Sequence, residues 1–512
     1  MTQVDTLANS SQTVPLQIQD IKVIDNTKLK KAVTAAALGN AMEWFDFGVY
    51  GFVAYALGQV FFPNASPGIQ TIAALATFSI PFLVRPLGGL FFGVMGDRFG
   101  RQKVLSLTII IMAASTFCIG LIPSYASIGI WAPVLLLLCK LAQGFSVGGE
   151  YTGAAIFVAE YAPDRRRGFL GSWLDFGSIA GFLLGAGLVV FLSSLVGEAA
   201  FLEWGWRIPF LIAAPLGLIG LYLRHAAEET PAFTQQLAQL EKEDRDTIED
   251  RPMVPYKEII GKYWKSLSVC IGMVLVTNIT YYMLLTYMPT YLSQSLEYSE
   301  DHGVLIIIVV MIGMLFVQPV VGFLSDRFGR KPFLMIGSLG LLVFALPAFH
   351  LITSGEIATI FAGLLVIAVL LNCLTGVMAS TLPALFPARI RYSALALAFN
   401  ISIIIAGLTP TVAAWLVEAT NNLYVPAFYL MFAAIIGLIT SFFLKETAKQ
   451  PLRGDTPSAS NKAEARQMLK EFYLGIEERV DEIDEKIADL EGTIEELRSR
   501  RQSLVDQHPK MS

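Results

Sequence analysis

Charge is scarce in this chain. Only 15% of its 512 residues are Asp, Glu, Lys or Arg, against about 25% in a soluble domain of ordinary composition. Histidine is scarcer still, four scattered residues, and neither a Ser–His–Asp arrangement nor a metal-ligand cluster stands out along the sequence. The four cysteines, Cys118, Cys139, Cys270 and Cys373, lie far apart with no Cys-x-x-Cys pair, which excludes a disulfide framework or a zinc knuckle. They are expected to be buried, inert thiols. No Walker A sequence occurs, so transport driven directly by ATP is not expected. Nothing calls for an enzyme, a bound cofactor or a nucleic-acid partner. The first part of the chain also lacks a short apolar core followed by a cleavage site, so no cleaved signal peptide is expected.

What is present in quantity is hydrophobic length. Apolar residues make up 54% of the chain and mean hydropathy is +0.58. About twelve stretches are long enough to cross a bilayer, near residues 33–57, 70–95, 104–122, 130–160, 169–195 and 207–224, then 266–293, 303–324, 332–353, 357–385, 393–417 and 424–444. The expectation is an all-α, multi-pass membrane protein. Alternate loops carry the positive charge: Arg98, Arg101 and Lys103, Arg165–Arg167, Arg327, Arg330 and Lys331, and Arg389 with Arg391. The intervening loops hold no Lys or Arg. By the positive-inside rule, the basic loops and both termini are expected in the cytoplasm.

The chain repeats itself. GVMGDRFGRQ at 93–102 returns as GFLSDRFGRK at 322–331, 229 residues on, and PDRRR at 163–167 returns as PARIR at 387–391, 224 residues on. Matching offsets indicate a duplicated six-helix unit. The expected layout is an N-terminal tail (1–31), a six-helix bundle (32–224), a central loop (225–264), a second bundle (265–447), a linker (448–466) and a coiled coil (467–508). In the last of these, Leu469, Tyr473, Ile476, Val480, Ile483, Ile487, Leu490, Ile494, Leu497 and Leu504 recur at alternating steps of four and three, with Arg501 in the one vacant slot. Such a heptad pattern suits a homodimeric coiled coil, with strand direction left open. A lone amphipathic helix lying on the membrane is the other arrangement it allows.

Charges inside the spans are the candidates for function, because an intramembrane ionisable group needs a partner or an aqueous cavity. They are Glu43, Asp46, Glu150 and Asp175 against Arg85 and Lys140. All lie in the first half; the second half offers only His350, near a helix end. Four acids face two bases, so surplus carboxylates must bind a proton or another cation, as a proton carrier does. Pairs such as Asp46–Arg85 would instead simply lock helices together. Glu43, Phe47 and Tyr50 share one helical face, flanked by Asn40 and Asp46. Gln143 and Glu150, with Lys140 to one side, form a weaker stripe. Arg85 or Lys140 is available to an anionic group of a solute, and a cationic group would find aromatic faces with a carboxylate nearby. Trp44, Phe47, Tyr50, Tyr281, Tyr282 and Tyr287 supply those faces. Proton coupling is thus assigned to Glu43, Asp46, Glu150 and Arg85, and substrate contact to Asn40, Trp44, Phe47, Tyr50, Lys140, Gln143, Tyr281 and Tyr282.

In the doubled DRFGR loop, aspartate is expected to cap the helix that follows and glycine to permit the tight turn. Asp97, Arg98, Arg101, Asp326, Arg327 and Arg330 are therefore gating candidates. This loop resembles the signature of the major facilitator superfamily. Within it, GNAMEWFDFGVYG at 39–51, QGFSVGGEYTGA at 143–154, WRIPF at 206–210 and EETPAF at 228–233 resemble the metabolite:proton symporter family. The resemblance covers nearly the whole chain, and the coiled-coil tail is similar to that of the family's osmoregulatory bacterial members. It implies the facilitator fold, alternating access in the bacterial inner membrane, and uptake of zwitterionic compatible solutes with protons, activated by high osmolality. Uptake of a dicarboxylate or other organic acid, and a non-transporting membrane sensor, are the two alternatives.

Overall fold

A computed structural model describes residues 16–64, 67–225, 255–292 and 300–507. The described residues fall into two compact units, one within residues 24–455 and a smaller one of residues 16–23 with 456–507. In the larger unit, helices of eight residues or more are numbered in chain order. The first half holds α1 (Asn26–Phe61), α2 (Pro67–Phe99), α3 (Arg101–Leu121), α4 (Trp131–Val147) with α5 (Glu150–Tyr161), α6 (Arg167–Val196) and α7 (Arg207–His225). The second half holds α8 (Tyr256–Tyr281), α9 (Glu300–Phe328), α10 (Lys331–Ile352), α11 (Ile357–Thr381), α12 (Arg391–Gly407) with α13 (Thr409–Thr420), and α14 (Val425–Phe443). Taking α4–α5 and α12–α13 as one crossing each, twelve membrane helices fall into two sets of six. Among the described residues, ten stretches pass a length-and-hydropathy criterion for crossing a bilayer; α1, which carries Glu43 and Asp46, and α7 complete the twelve. Large apolar side chains such as Leu184, Phe316 and Phe443 stand exposed on the outside, as lipid-facing residues do.

Several boundaries differ from the sequence reading. Asp25 caps α1, accepting from the amide of Thr27 at 2.6 Å, so α1 starts at Asn26, about two turns before residue 33. The amphipathic stretch YKEIIGKYWK extends α8 back to Tyr256, with non-helical backbone at Tyr263 marking a kink. Most of the central loop, 226–254, lies outside the described residues. Of the cysteines, Cys270 and Cys373 are buried, but Cys139 is half-buried and Cys118 is exposed. An apolar segment has an outer face as well as an inner one.

Small residues set the closest helix contacts. Gly177, Gly181 and Gly185 of α6 lie directly on the backbone of Ala37, Ala41 and Phe45 of α1, where a Cβ would collide with carbonyl oxygens. This spacing of four on both helices is the small-residue interface by which membrane helices pack without a hydrophobic drive. It holds α1 rigidly against α6 along the stretch that carries Glu43.

In the smaller unit, β1 (Lys22–Val23) pairs in parallel with β2 (Ser458–Ala459), and α15 runs from Lys462 to Gln507. Ile21, Ala459 and Ala465 form its small core. Tyr473 donates to the carbonyl of Leu16 at 2.9 Å. The helix thus begins five residues earlier than residue 467. Further along, the heptad residues Ile483, Ile487, Leu490, Ile494 and Leu497 are all about half exposed in the single chain.

Candidate functional site

Between the two halves lies a buried cavity. The first half contributes Glu43 and Trp44 (α1), Arg85 (α2), Tyr151 (α5), and Asp175 and Ser178 (α6). The second contributes Thr277, Asn278 and Tyr281 (α8), Tyr282 in the π-helical turn after it, Thr375 and Met378 (α11), and Phe399 and Ile403 (α12). One wall therefore holds all the charge, and the other is neutral, aromatic and hydroxyl-bearing.

Arg85 donates through Nη2 to Glu43 Oε1 at 2.9 Å, with both side chains almost wholly buried. The pair is incompletely satisfied. Arg85 Nε and Nη1, Glu43 Oε2, Trp44 Nε1 and the Tyr281 hydroxyl are all buried without a hydrogen-bond partner. Buried polar groups are nearly always paired, so five such atoms on four cavity-lining residues mark a place for a polar guest. Aromatic rings surround it. Trp44 and Tyr281 have ring centroids 4.7 Å apart, Phe82 meets Tyr282 edge-on at 5.7 Å, and Tyr151 stacks on Phe399 at 4.8 Å. Across the same cavity the Tyr151 hydroxyl donates to both Asp175 oxygens, at 3.1 and 3.3 Å.

The two acids of NAMEWFDF part company. Asp46 pairs with Lys140 at 3.4 Å rather than with Arg85. Lys140 also donates to Gln143 Oε1 at 2.7 Å and sits 4.0 Å from the Tyr50 ring centre, while Gln143 donates to Thr116 at 2.7 Å. These residues form a second polar cluster inside the first half. The correction has a simple cause: residues three apart on a helix point about 60° apart, enough to address different neighbours. Of the expected substrate contacts, Trp44, Tyr281 and Tyr282 border the cavity. Asn40 lies behind it, donating to the carbonyl of Leu174 at 2.8 Å and to Ser178, and Phe47 stacks on Phe82 at 5.6 Å. Tyr50, Lys140 and Gln143 belong to the second cluster. Glu150 is fully buried at the head of α5. Tyr151, Asn278, Thr375 and Phe399 were not singled out; a polar residue in an apolar helix was the available signal for three of them.

At the end of the bundle that bears the basic loops, the two repeats grip each other. Asp97, in the last turn of α2, accepts from the amides of Tyr392 (3.3 Å) and Ser393 (2.9 Å) and from the Ser393 hydroxyl (2.6 Å) at the start of α12. Asp326, in the last turn of α9, accepts from the amides of Gly168 (2.7 Å) and Phe169 (2.8 Å) at the start of α6. Each aspartate thus caps a helix of the opposite half and not the helix that follows it. The reason is that each sits inside its own helix, ahead of the turn made at Gly100 and Gly329, whose φ values are +104° and +97°. The two arginines related by the repeat, Arg167 and Arg391, head the capped helices. Arg391 pairs with Glu160 at 2.7 Å across the halves, and Arg167 with Asp164 at 2.5 Å. Arg330 is fully buried, donating to Ser380 and Thr447, while Arg98 and Arg327 lie over the rings of Phe99 and Phe328. The side chain of Arg101 lies outside the described residues.

The segment after α14 is a strap across this end, where the composition read as a linker. Gln450 accepts from Arg167, the Arg453 carbonyl from Arg391, and Asp455 from Arg391 at 3.0 Å. Glu446 takes over the capping of α10, accepting from the amides of Arg330 and Lys331. Burial pushes its carboxyl up, but the amides of Arg330, Ala448, Lys331 and Thr447 outweigh that and hold it below the ordinary glutamate value. A lowered value means the cap survives until pH falls below the normal glutamate range.

Similar proteins agree with this architecture. The family described as sugar (and other) transporter matches residues 32–454, and the osmosensory transporter coiled coil matches 460–512. The chain is 68% identical to the proline/betaine transporter of Escherichia coli K12 over 97% of its own length and 98% of the relative's. It is equally identical, with the same coverage, to the glycine betaine/proline/ectoine/pipecolic acid transporter OusA of Dickeya dadantii. A putative proline/betaine transporter of Staphylococcus haemolyticus is 41% identical over 88% of this chain and 94% of that one. Among solved structures, the proton:xylose symporter XylE bound to 6-bromo-6-deoxy-D-glucose superposes with a TM-score of 0.68, at 21% identity, over 83% of this chain and 98% of that chain. With its duplicated six-helix halves, interlocked aspartate loops and coiled-coil tail, the chain belongs to the sugar (and other) transporter family.

Proposed function

We propose that this protein is a secondary transporter that takes up proline, glycine betaine and related zwitterionic osmolytes together with protons. The observation that carries the reading is the Arg85–Glu43 pair, with two unpartnered guanidinium N–H groups facing a cavity of aromatic rings. A solute carboxylate fits the guanidinium fork, and its cationic nitrogen fits the ring faces. Coupling follows from competition. When the solute carboxylate draws Arg85 away, Glu43 is left as a buried carboxylate without a cation, and taking a proton relieves it. Asp46, Glu150 and Lys140 act behind the wall. An organic dianion is disfavoured, because two carboxylates, Glu43 and Asp175, share this cavity with Arg85. Relatives 68% identical are named as proline and betaine transporters, which supports the solute class.

In this reading the protein lies in a bacterial inner membrane, and the basic loops support a cytoplasmic position for the interlocked end and both termini. The half-exposed heptad stripe of α15 supports homodimerisation through a coiled coil. Two measurements test the whole reading. Purified protein in liposomes with an imposed inward pH gradient is expected to accumulate proline; no accumulation of any zwitterion refutes it. Deleting residues 467–512 is expected to shift the osmolality at which uptake begins while leaving transport intact. An unchanged activation curve removes the tail from osmotic sensing.

A further inference from the structure

Asp175 differs from the buried carboxylates that hold an ion pair. Glu43 has Arg85, Asp46 has Lys140, Glu160 has Arg391 and Asp164 has Arg167. Asp175 is only 6% exposed, and among the described residues it accepts hydrogen bonds from one neutral phenol, that of Tyr151. A buried carboxylate held by a single neutral donor is poorly compensated. It lines the same cavity as Arg85 and as Tyr281, whose buried hydroxyl has no partner. Tyr151, which holds it, stacks on Phe399, so the carboxylate sits at the edge of an aromatic wall.

We infer that Asp175 is the anionic pole of the solute site, the group that selects a solute carrying a positive nitrogen beside its carboxylate. This rests on the reading of the cavity as a zwitterion site. The cavity then has a cation from α2 for one end of the solute and an anion from α6 for the other, with the rings covering its apolar surface. A secondary ammonium can donate directly to the carboxylate, and a quaternary one is drawn to it by charge alone. Aromatic faces would by themselves accept a cation without requiring one; a carboxylate makes a neutral replacement leave a buried charge unmatched, the stronger form of discrimination.

The test compares glycine betaine with tert-butylacetate, its isostere in which carbon replaces the quaternary nitrogen. Binding to the full-length protein in detergent is measured by titration calorimetry. The wild type is expected to prefer betaine by about tenfold or more, what a charge–charge attraction across a few ångström supplies in a poorly screened site. In Asp175→Asn the preference is expected to shrink to within about threefold. Tyr151→Phe, which strips the carboxylate of its neutral donor, is expected to increase the preference, and it decides the matter should Asp175→Asn fail to assemble. Wild-type preference retained in Asp175→Asn, or reduced in Tyr151→Phe, overturns the inference. So does an Asp175→Asn protein that keeps the preference but no longer accumulates betaine on a pH gradient, since the carboxylate would then carry the proton. Wild-type protein that binds neither betaine nor proline overturns the zwitterion reading itself, and this inference with it.

Discussion

Glu43→Gln is expected to abolish accumulation of proline on a pH gradient while leaving exchange of labelled for unlabelled proline across the liposome membrane. One proton per solute makes each pH unit worth about 1.4 kcal/mol, or about tenfold accumulation. A gradient of about two units should therefore sustain roughly hundredfold accumulation in the wild type, and about onefold in the variant. Glutamine keeps a hydrogen-bonding side chain beside Arg85 but neither charge nor titration. Solute can still displace it, so exchange survives. Asp46→Asn serves as the contrast. It removes the partner of a buried lysine, 3.4 Å away, and losing one member of a buried pair costs about 3–5 kcal/mol. Its effect should appear as a lower thermal midpoint, relieved when Lys140→Met is added. Full gradient-driven accumulation in Glu43→Gln would move the proton route elsewhere, and loss of accumulation in a stable Asp46→Asn would give that residue the role.

Replacing Asp97 or Asp326 with alanine is expected to unseal the end of the bundle that bears the basic loops. Each carboxylate accepts two backbone amides at the first turn of a helix in the opposite half. Bonds to a charged acceptor contribute about 1.5–3 kcal/mol each, and the helix dipole adds to them. Even a few kcal/mol lost per site is a shift of at least tenfold in the balance between closed and open states. The capping bonds at the two sites go to different helices, so the double variant should approach the sum of the two in free energy. A cysteine placed at Met378, which lines the cavity, reports the opening in a background lacking the four native cysteines. Labelling by an impermeant thiol reagent from the basic-loop side should accelerate at least tenfold in each variant. Asp97→Asn and Asp326→Asn, which keep an acceptor oxygen, should lie between. Equal labelling rates in all of them would mean that these carboxylates do not hold the end closed.

The number of crossings, their division into two repeats, the polarity of the loops and the heptad tail were all legible along the chain. Each depends on length, period or offset, which are one-dimensional properties. So was the concentration of buried charge in the first half, since an acid in an apolar run is conspicuous wherever the run ends up. The glycines of the DRFGR turns were legible for the same reason: a tight turn with positive φ is a local demand, met at Gly100 and Gly329.

Partnership was another matter. Glu43 and Asp46 are neighbours on one helix, yet α2 brings Arg85 to the first and α4 brings Lys140 to the second. Asp97 and Asp326 looked like local caps, and only the docking of the halves shows that each closes on a helix nearly 300 or 160 residues away in sequence. Asp175 could be noticed as a charge but not as the member of the set held by a neutral phenol. An ionisable side chain in a membrane declares that it needs a partner, because hydrocarbon cannot solvate it. Which partner it has depends on how helices far apart in the chain are rotated and stacked, and that is decided only when the bundle closes.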